Sequence, residues 1–164
     1  MDVFLIRPID PSIANAARRT LRDPIYGSPL RVEPAAGYGP CRLCLRTFAP
    51  GEPRILFLYN PFSAHQDAEF AGPVFVHADG CKPYAEPTKF PDAVAALPIE
   101  LRAYDDQQRR VGTIVPDPGE CESAVGRLFA RPEVHVVHIR NTEARCFIAR
   151  IDRANQPNVL TSSR

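Results

Sequence analysis

A chain of 164 residues, 45% of them apolar, is long enough to bury one self-sufficient core. Its 20 basic and 19 acidic residues leave a formal charge of +1, which gives no electrostatic reason to expect a nucleic acid or an anionic membrane as partner. No segment approaches the roughly 18 apolar residues of a membrane-spanning helix, and five cysteines, an odd number, argue against a disulfide framework.

The opening Phe4-Leu5-Ile6-Arg7-Pro8 reads as a first strand over residues 3–7 and not as a signal peptide, because the second residue is acidic and the apolar run is short. The expected location is therefore the cytoplasm, where thiols stay reduced. Eighteen of the basic residues are Arg and two are Lys, a bias read as genome composition and not as function.

Ile13–Arg22 is expected to be a short helix capped by Ser12, with Arg18, Arg19 and Arg22 as a solvated face. Residues 23–40 carry four Pro and three Gly and read as a long loop. Arg54–Tyr59 is a near-continuous apolar run, expected to be a strand buried on both faces. A polar loop follows, then a strand over Val74–His77. Residues 78–98 read as irregular, with one helical turn at Asp92–Ala96. Strands are expected at Ile99–Tyr104 and Val111–Val115.

The most regular element is a helix expected to start at Pro118 behind an Asp117 cap. Cys121, Ala124, Val125, Leu128 and Phe129 recur at i, i+3, i+4, i+7 and i+8, one buried stripe. A hairpin follows, Val134–Ile139 and Cys146–Ile151, with His138 expected opposite Phe147 and Ile139 opposite Cys146. Cys121 and Cys146 read as core thiols. The pattern predicts an α+β fold: a mainly antiparallel sheet, one or two packed helices, and a long Pro/Gly-rich N-terminal loop region. Residues 1–154 are expected to form a single domain, with 155–164 a frayed tail.

The sharpest chemical signal is Cys41-Arg42-Leu43-Cys44 followed by His77-Ala78-Asp79-Gly80-Cys81. Two thiolates two residues apart can hold Zn²⁺ from one tight turn, and His77 with Cys81 would complete a Cys₃His site. The separation of the two pairs exceeds that of common zinc fingers, so two other readings stand beside it. One is a redox pair, which Arg42 and Arg46 would support by stabilising a thiolate. The other is partly buried thiols with no chemical role. His135 and His138 cannot share an ion from one strand, because residues i and i+3 point to opposite faces. His65 lies in a polar loop beside Asp67 and Glu69, where a general-base role competes with simple solvation. There is no GxGxxG, Walker-type loop, GxSxG or HExxH.

Cys41-Arg42-x-Cys44-Leu45-Arg46, Pro50-Gly51-Glu52, Tyr59-x-Pro61-Phe62, Gly72-Pro73-x-Phe75-Val76-His77 and Cys81, with Val136-x-His138-Ile139-Arg140-Asn141 and Cys146-Phe147 near the end, resemble the bacterial family called domain of unknown function 1203. The resemblance spans residues 3 to 153, and the segment Gln66–Ala71 departs from the pattern. It implies a single-domain bacterial protein and no particular activity. Arg46, Glu52 and Tyr59 fall within the same motif as the cysteines.

Two functions follow as expectations. The first is a binding or structural module organised around Cys41, Cys44, His77 and Cys81 through Zn²⁺. The second is a small enzyme or thiol redox protein using Cys41 and Cys44 beside a pocket of Arg46, Glu52, Tyr59 and His77.

Overall fold

The computed structural model describes residues 4–37, 39–62 and 71–155. Residues 63–70, including His65, and residues 156–164 of the expected tail lie outside them.

Strands β1 (Phe4–Arg7), β5 (Ile99–Tyr104), β6 (Arg110–Ile114), β7 (Val136–Asn141) and β8 (Phe147–Arg153) form one sheet in the order β1-β8-β7-β5-β6. Strands β2 (Val32–Pro34), β3 (Pro53–Tyr59) and β4 (Gly72–His77) form a second, smaller sheet in chain order. Every pairing is antiparallel. Helices α1 (Pro11–Thr20), α2 (Asp92–Ala95) and α3 (Cys121–Phe129) complete the expected α+β fold.

Helix α3 lays its whole predicted stripe on one face of the larger sheet. Cys121, Ala124, Val125, Leu128 and Phe129 are buried against Leu101, Ala103, Val137, Ile139, Ala149 and Ile151. The helix begins three residues later than its sequence suggests. Gly119 adopts φ +81, incompatible with a right-handed helix, and the Glu120 N–H closes a turn onto the Asp117 carbonyl.

Helix α1 is also shifted. Asp10, not Ser12, is the cap: its carboxylate accepts the Ser12 N–H at 2.8 Å, and Pro11 takes the first helical position, where no N–H is needed. The helix ends at Leu21 in the left-handed region, so Arg22 lies beyond it. Arg18 is not part of a solvated face; it turns inward onto His77 and Cys81.

Strand β3 is buried on one face only. Ile55 and Phe57 enter a second core with Ala14, Ala17, Val74 and Val76, while Leu56 is 39% exposed. The apolar run hid an ordinary period-two alternation. Strand β2, within the stretch expected to be loop, pairs with the edge of β3; at three residues including Pro34 it carries almost no strand signal.

The closing hairpin has another register than expected. His138 faces Arg150, Ile139 faces Ala149, and a bulge between Ile139 and Arg140 then brings Arg140 opposite Phe147. Such an inserted residue cannot be read from alternation alone. Cys121 is buried as expected, but Cys146 is only half-buried, its thiol on the Ala144 carbonyl at the turn.

The bulge leaves Phe147 facing the smaller sheet, where it joins the second core. It also covers His138, whose ring sits among Phe62, Tyr104 and Phe147 at centroid distances of 4.6, 4.9 and 5.2 Å. His138 is fully buried and neither ring nitrogen has a partner among the described residues. Burial, reinforced by the charges of Arg140, Arg150 and Arg102, holds its pKa well below the ordinary 6.5. A depressed folded-state pKa means that the unfolded chain binds the extra proton, so stability is complete above about pH 6.5 and is lost as the pH falls below it. Denaturant unfolding from pH 7 to pH 5 should therefore show a slope of up to about 1.4 kcal/mol per pH unit that His138→Phe removes. Identical slopes in the two proteins would contradict a neutral, buried His138.

Candidate metal centre

Residues 40–47 form a compact knuckle. Pro40 and Thr47 pair across its neck, the Leu45 N–H returns to the Cys41 carbonyl at 2.8 Å, and the Cys41 N–H donates to the Arg46 carbonyl at 2.8 Å. Leu45 pays for the tight turn with φ +60, an uncommon conformation for a residue bearing a Cβ. The backbone N–H groups of Leu43 and Cys44 point at the Cys41 sulfur, and that of Arg46 at the Cys44 sulfur.

Arg42, between the two cysteines, fixes the knuckle in the fold. Its guanidinium is buried and donates to the Phe147 carbonyl (2.6 Å) and the Pro40 carbonyl (2.6 Å), while its backbone N–H donates to Phe75. Burial lowers its pKa to about 10, which leaves it charged at neutral pH. One residue thus ties the knuckle to β8 through its side chain and to β4 through its backbone.

The other half of the centre comes from β4. His77 is the last residue of the strand, and the turn Ala78-Asp79-Gly80 delivers Cys81 back toward it. Gly80 has φ +96. The Ala78 N–H donates to Pro53, which ties this turn to the start of β3.

The two halves meet. The ligand atoms of Cys41, Cys44, His77 and Cys81 all lie within 4.8 Å of one another, and the four residues can hold a metal ion. The Cys41 and Cys81 sulfurs are 3.7 Å apart, and the Cys44 sulfur is 3.6 Å from His77 Nδ1. His77 Nε2 is 3.0 Å from the Glu52 carboxylate, the outer-layer arrangement that orients a ligating imidazole. Glu52 is itself fixed by the Ala49 N–H, and Phe48 packs on the imidazole at 4.4 Å. Arg18 reaches in from α1, its Nε on the His77 carbonyl and its Nη2 3.4 Å from the Cys81 sulfur.

Without a metal the three thiols differ. The hydrogen bond from Cys44, aided by the backbone N–H groups, lowers the Cys41 thiol to about 4 against the opposing effect of burial. That same bond, with burial, pushes Cys44 up; burial and the Cys41 charge push Cys81 up. Ionisation is thus favoured at Cys41 and opposed at Cys44 and Cys81, and a bound cation would displace the protons those two hold. Glu52 is held below the usual carboxylate range by the Ala49 N–H first and by His77 second.

The other residues singled out in the sequence divide. Arg46 is exposed and its charge acts on Glu52, so both flank the centre. Tyr59 does not: it ends β3, six residues from Pro53 or about 20 Å at strand rise, and packs on Phe147. Arg46, Glu52, Tyr59 and His77 therefore do not line one pocket. His135 and His138 stand apart from the centre, one exposed and one buried. Sequence reasoning missed Arg18 as a support, and it read Arg42 as a stabiliser of a thiolate, whereas the Arg42 guanidinium bonds the Phe147 and Pro40 carbonyls.

Fold and centre together define an α+β domain with a preformed Cys₃His cluster between a knuckle and a strand end. The chain belongs to the family described as "Protein of unknown function (DUF1203)", whose model matches residues 38–153 and so includes all four cluster residues. The match begins 35 residues further along than the resemblance read from the motifs, after β1, α1 and β2. No curated protein and no solved structure matches the chain.

Gly80→Ala tests how the second half is positioned. An added Cβ would meet nothing within 4 Å, so its effect is conformational only. Holding a non-glycine residue at this φ should cost about 1–3 kcal/mol in urea unfolding. Unchanged stability would mean that the turn does not require this conformation.

Proposed function

We propose that the protein is a structural or binding module whose N-terminal half is held by one closed, structural Zn²⁺ on Cys41, Cys44, His77 and Cys81. The separations of the ligand atoms carry this reading. A tetrahedral zinc with Zn–S near 2.3 Å and Zn–N near 2.05 Å requires sulfurs about 3.8 Å apart and sulfur and nitrogen about 3.6 Å apart. In the cluster the Cys41–Cys81 sulfurs are 3.7 Å apart and Cys44 Sγ lies 3.6 Å from His77 Nδ1, and all four ligand atoms lie within 4.8 Å of one another. Its donor set of three thiolates and one imidazole suits zinc over the hard cations, which prefer oxygen.

Four protein ligands leave no coordination position for water, so the metal would brace the fold and not activate a substrate. What it would brace is evident from the surroundings. The described residues between 35 and 52 contain no helix or strand of their own, and they fasten α1, the smaller sheet and β8 together. Residues 1–154 would act as a single domain in the cytoplasm, consistent with five free cysteines.

Protein purified without a metal-affinity tag should contain about one zinc per chain by elemental analysis. A Cys41→Ser/Cys44→Ser variant should lose it, and a strong chelator should unfold the wild type. Zinc-free protein with all five thiols titratable would overturn the proposal and favour a thiol-based function of Cys41 and Cys44 instead.

A further inference from the structure

The face of the larger sheet turned away from α3 carries a second, unrelated feature. Arg102 and Tyr104 of β5 and His138 and Arg140 of β7 alternate with the core residues Leu101, Ala103, Val137 and Ile139, and so project to this side. Near β8 the face is covered by Phe62 and Phe147. Toward β6 it opens into a cleft of about 640 Å³, a volume typical of small-molecule sites. Five of its seven lining residues are arginines: Arg102, Arg109, Arg110, Arg140 and Arg145.

Two of these charges are neutralised locally. Arg102 pairs with Glu100 at 2.7 Å, and Arg109 with Asp105 at 2.8 Å. Arg110, Arg140 and Arg145 have no carboxylate within ion-pair distance among the described residues. Arg140 is the telling one. It is only 6% exposed, so its charge has been taken from water without a counter-ion. Its Nη1 donates to the Arg145 carbonyl and another N–H meets Tyr104, but Nε has no acceptor. Gln108, at the mouth of the β5–β6 turn, also has a buried amide oxygen without a partner. A guanidinium serving only to pin the hairpin turn would not need four others around it.

We propose that this cleft is a binding site for a small phosphate-bearing anion, a phosphomonoester or pyrophosphate group. Planar guanidinium forks bind phosphate oxygens in bidentate fashion. Three uncompensated charges match a ligand group of charge near −2 better than a single carboxylate. The site is independent of the metal centre: none of Cys41, Cys44, His77 or Cys81 lines it.

Inorganic pyrophosphate, titrated calorimetrically into the full chain without magnesium, is the direct probe. The expected result is saturable binding of one anion per chain. Arg110→Gln/Arg145→Gln alters two exposed side chains, so it should fold normally by circular dichroism and keep its metal content. It should bind at least tenfold more weakly. Arg19→Gln/Arg31→Gln removes the same charge from exposed positions outside the cleft and should leave binding unchanged. No saturable binding to the wild type, or equal weakening by both double variants, would overturn the proposal; the second result would mean that only net charge attracts the anion.

Discussion

Two sequence-distant turns close on each other at the end of β4, and much of the N-terminal half depends on that contact. The Cys41–Cys44 knuckle and the His77–Cys81 turn bring three sulfurs and an imidazole within 4.8 Å. The hydrogen bond between Cys41 and Cys44 favours the thiolate of the first and the thiol of the second, and the Cys41 charge adds to the resistance of Cys44 and Cys81 to ionising. A divalent cation removes the conflict, since every thiolate then faces positive charge. On the proposed reading the cluster is strained in its chemistry without metal and satisfied with it.

The supports around the cluster are specific. Arg42 spans from the knuckle to the Phe147 carbonyl, so the position of the cysteines depends on the closing hairpin more than a hundred residues later. The bulge in that hairpin matters for the same reason, because it turns Phe147 toward the smaller sheet and its core. Arg18 links α1 to both His77 and Cys81, and Glu52 fixes the far side of the imidazole. Each support is a polar side chain drawn from a different segment. Apolar packing alone would leave the direction of these turns poorly specified, because hydrophobic contact is not directional.

Local signals in the sequence carried well where period and spacing determine structure. The α3 stripe was legible because burial on one helical face needs side chains at that period, and the four cluster residues were legible because thiols and an imidazole at CxxC and HxxxC spacing stand out in a sequence. Other features depend on tertiary context. The late start of α3 turns on the φ of Gly119, and the register of the hairpin turns on one bulged residue. Cys146 reads as an apolar-strand cysteine but sits at a turn, because that bulge shifts the whole start of β8. The arginine cleft was invisible because its members, spread from Arg102 to Arg145, converge only when β5, β6 and β7 pair. A formal charge of +1 for the chain gives no hint of such local concentration.

What the three sulfurs and one nitrogen hold decides how the N-terminal half is braced. X-ray absorption at the zinc edge, on untagged protein as purified, reports the ligands and their distances together. A closed structural zinc should give a four-coordinate shell of three sulfurs near 2.3 Å and one nitrogen near 2.0–2.1 Å, with an imidazole outer-shell pattern. A shell dominated by oxygen and nitrogen, or one with a fifth ligand, would contradict a closed structural site at Cys41, Cys44, His77 and Cys81.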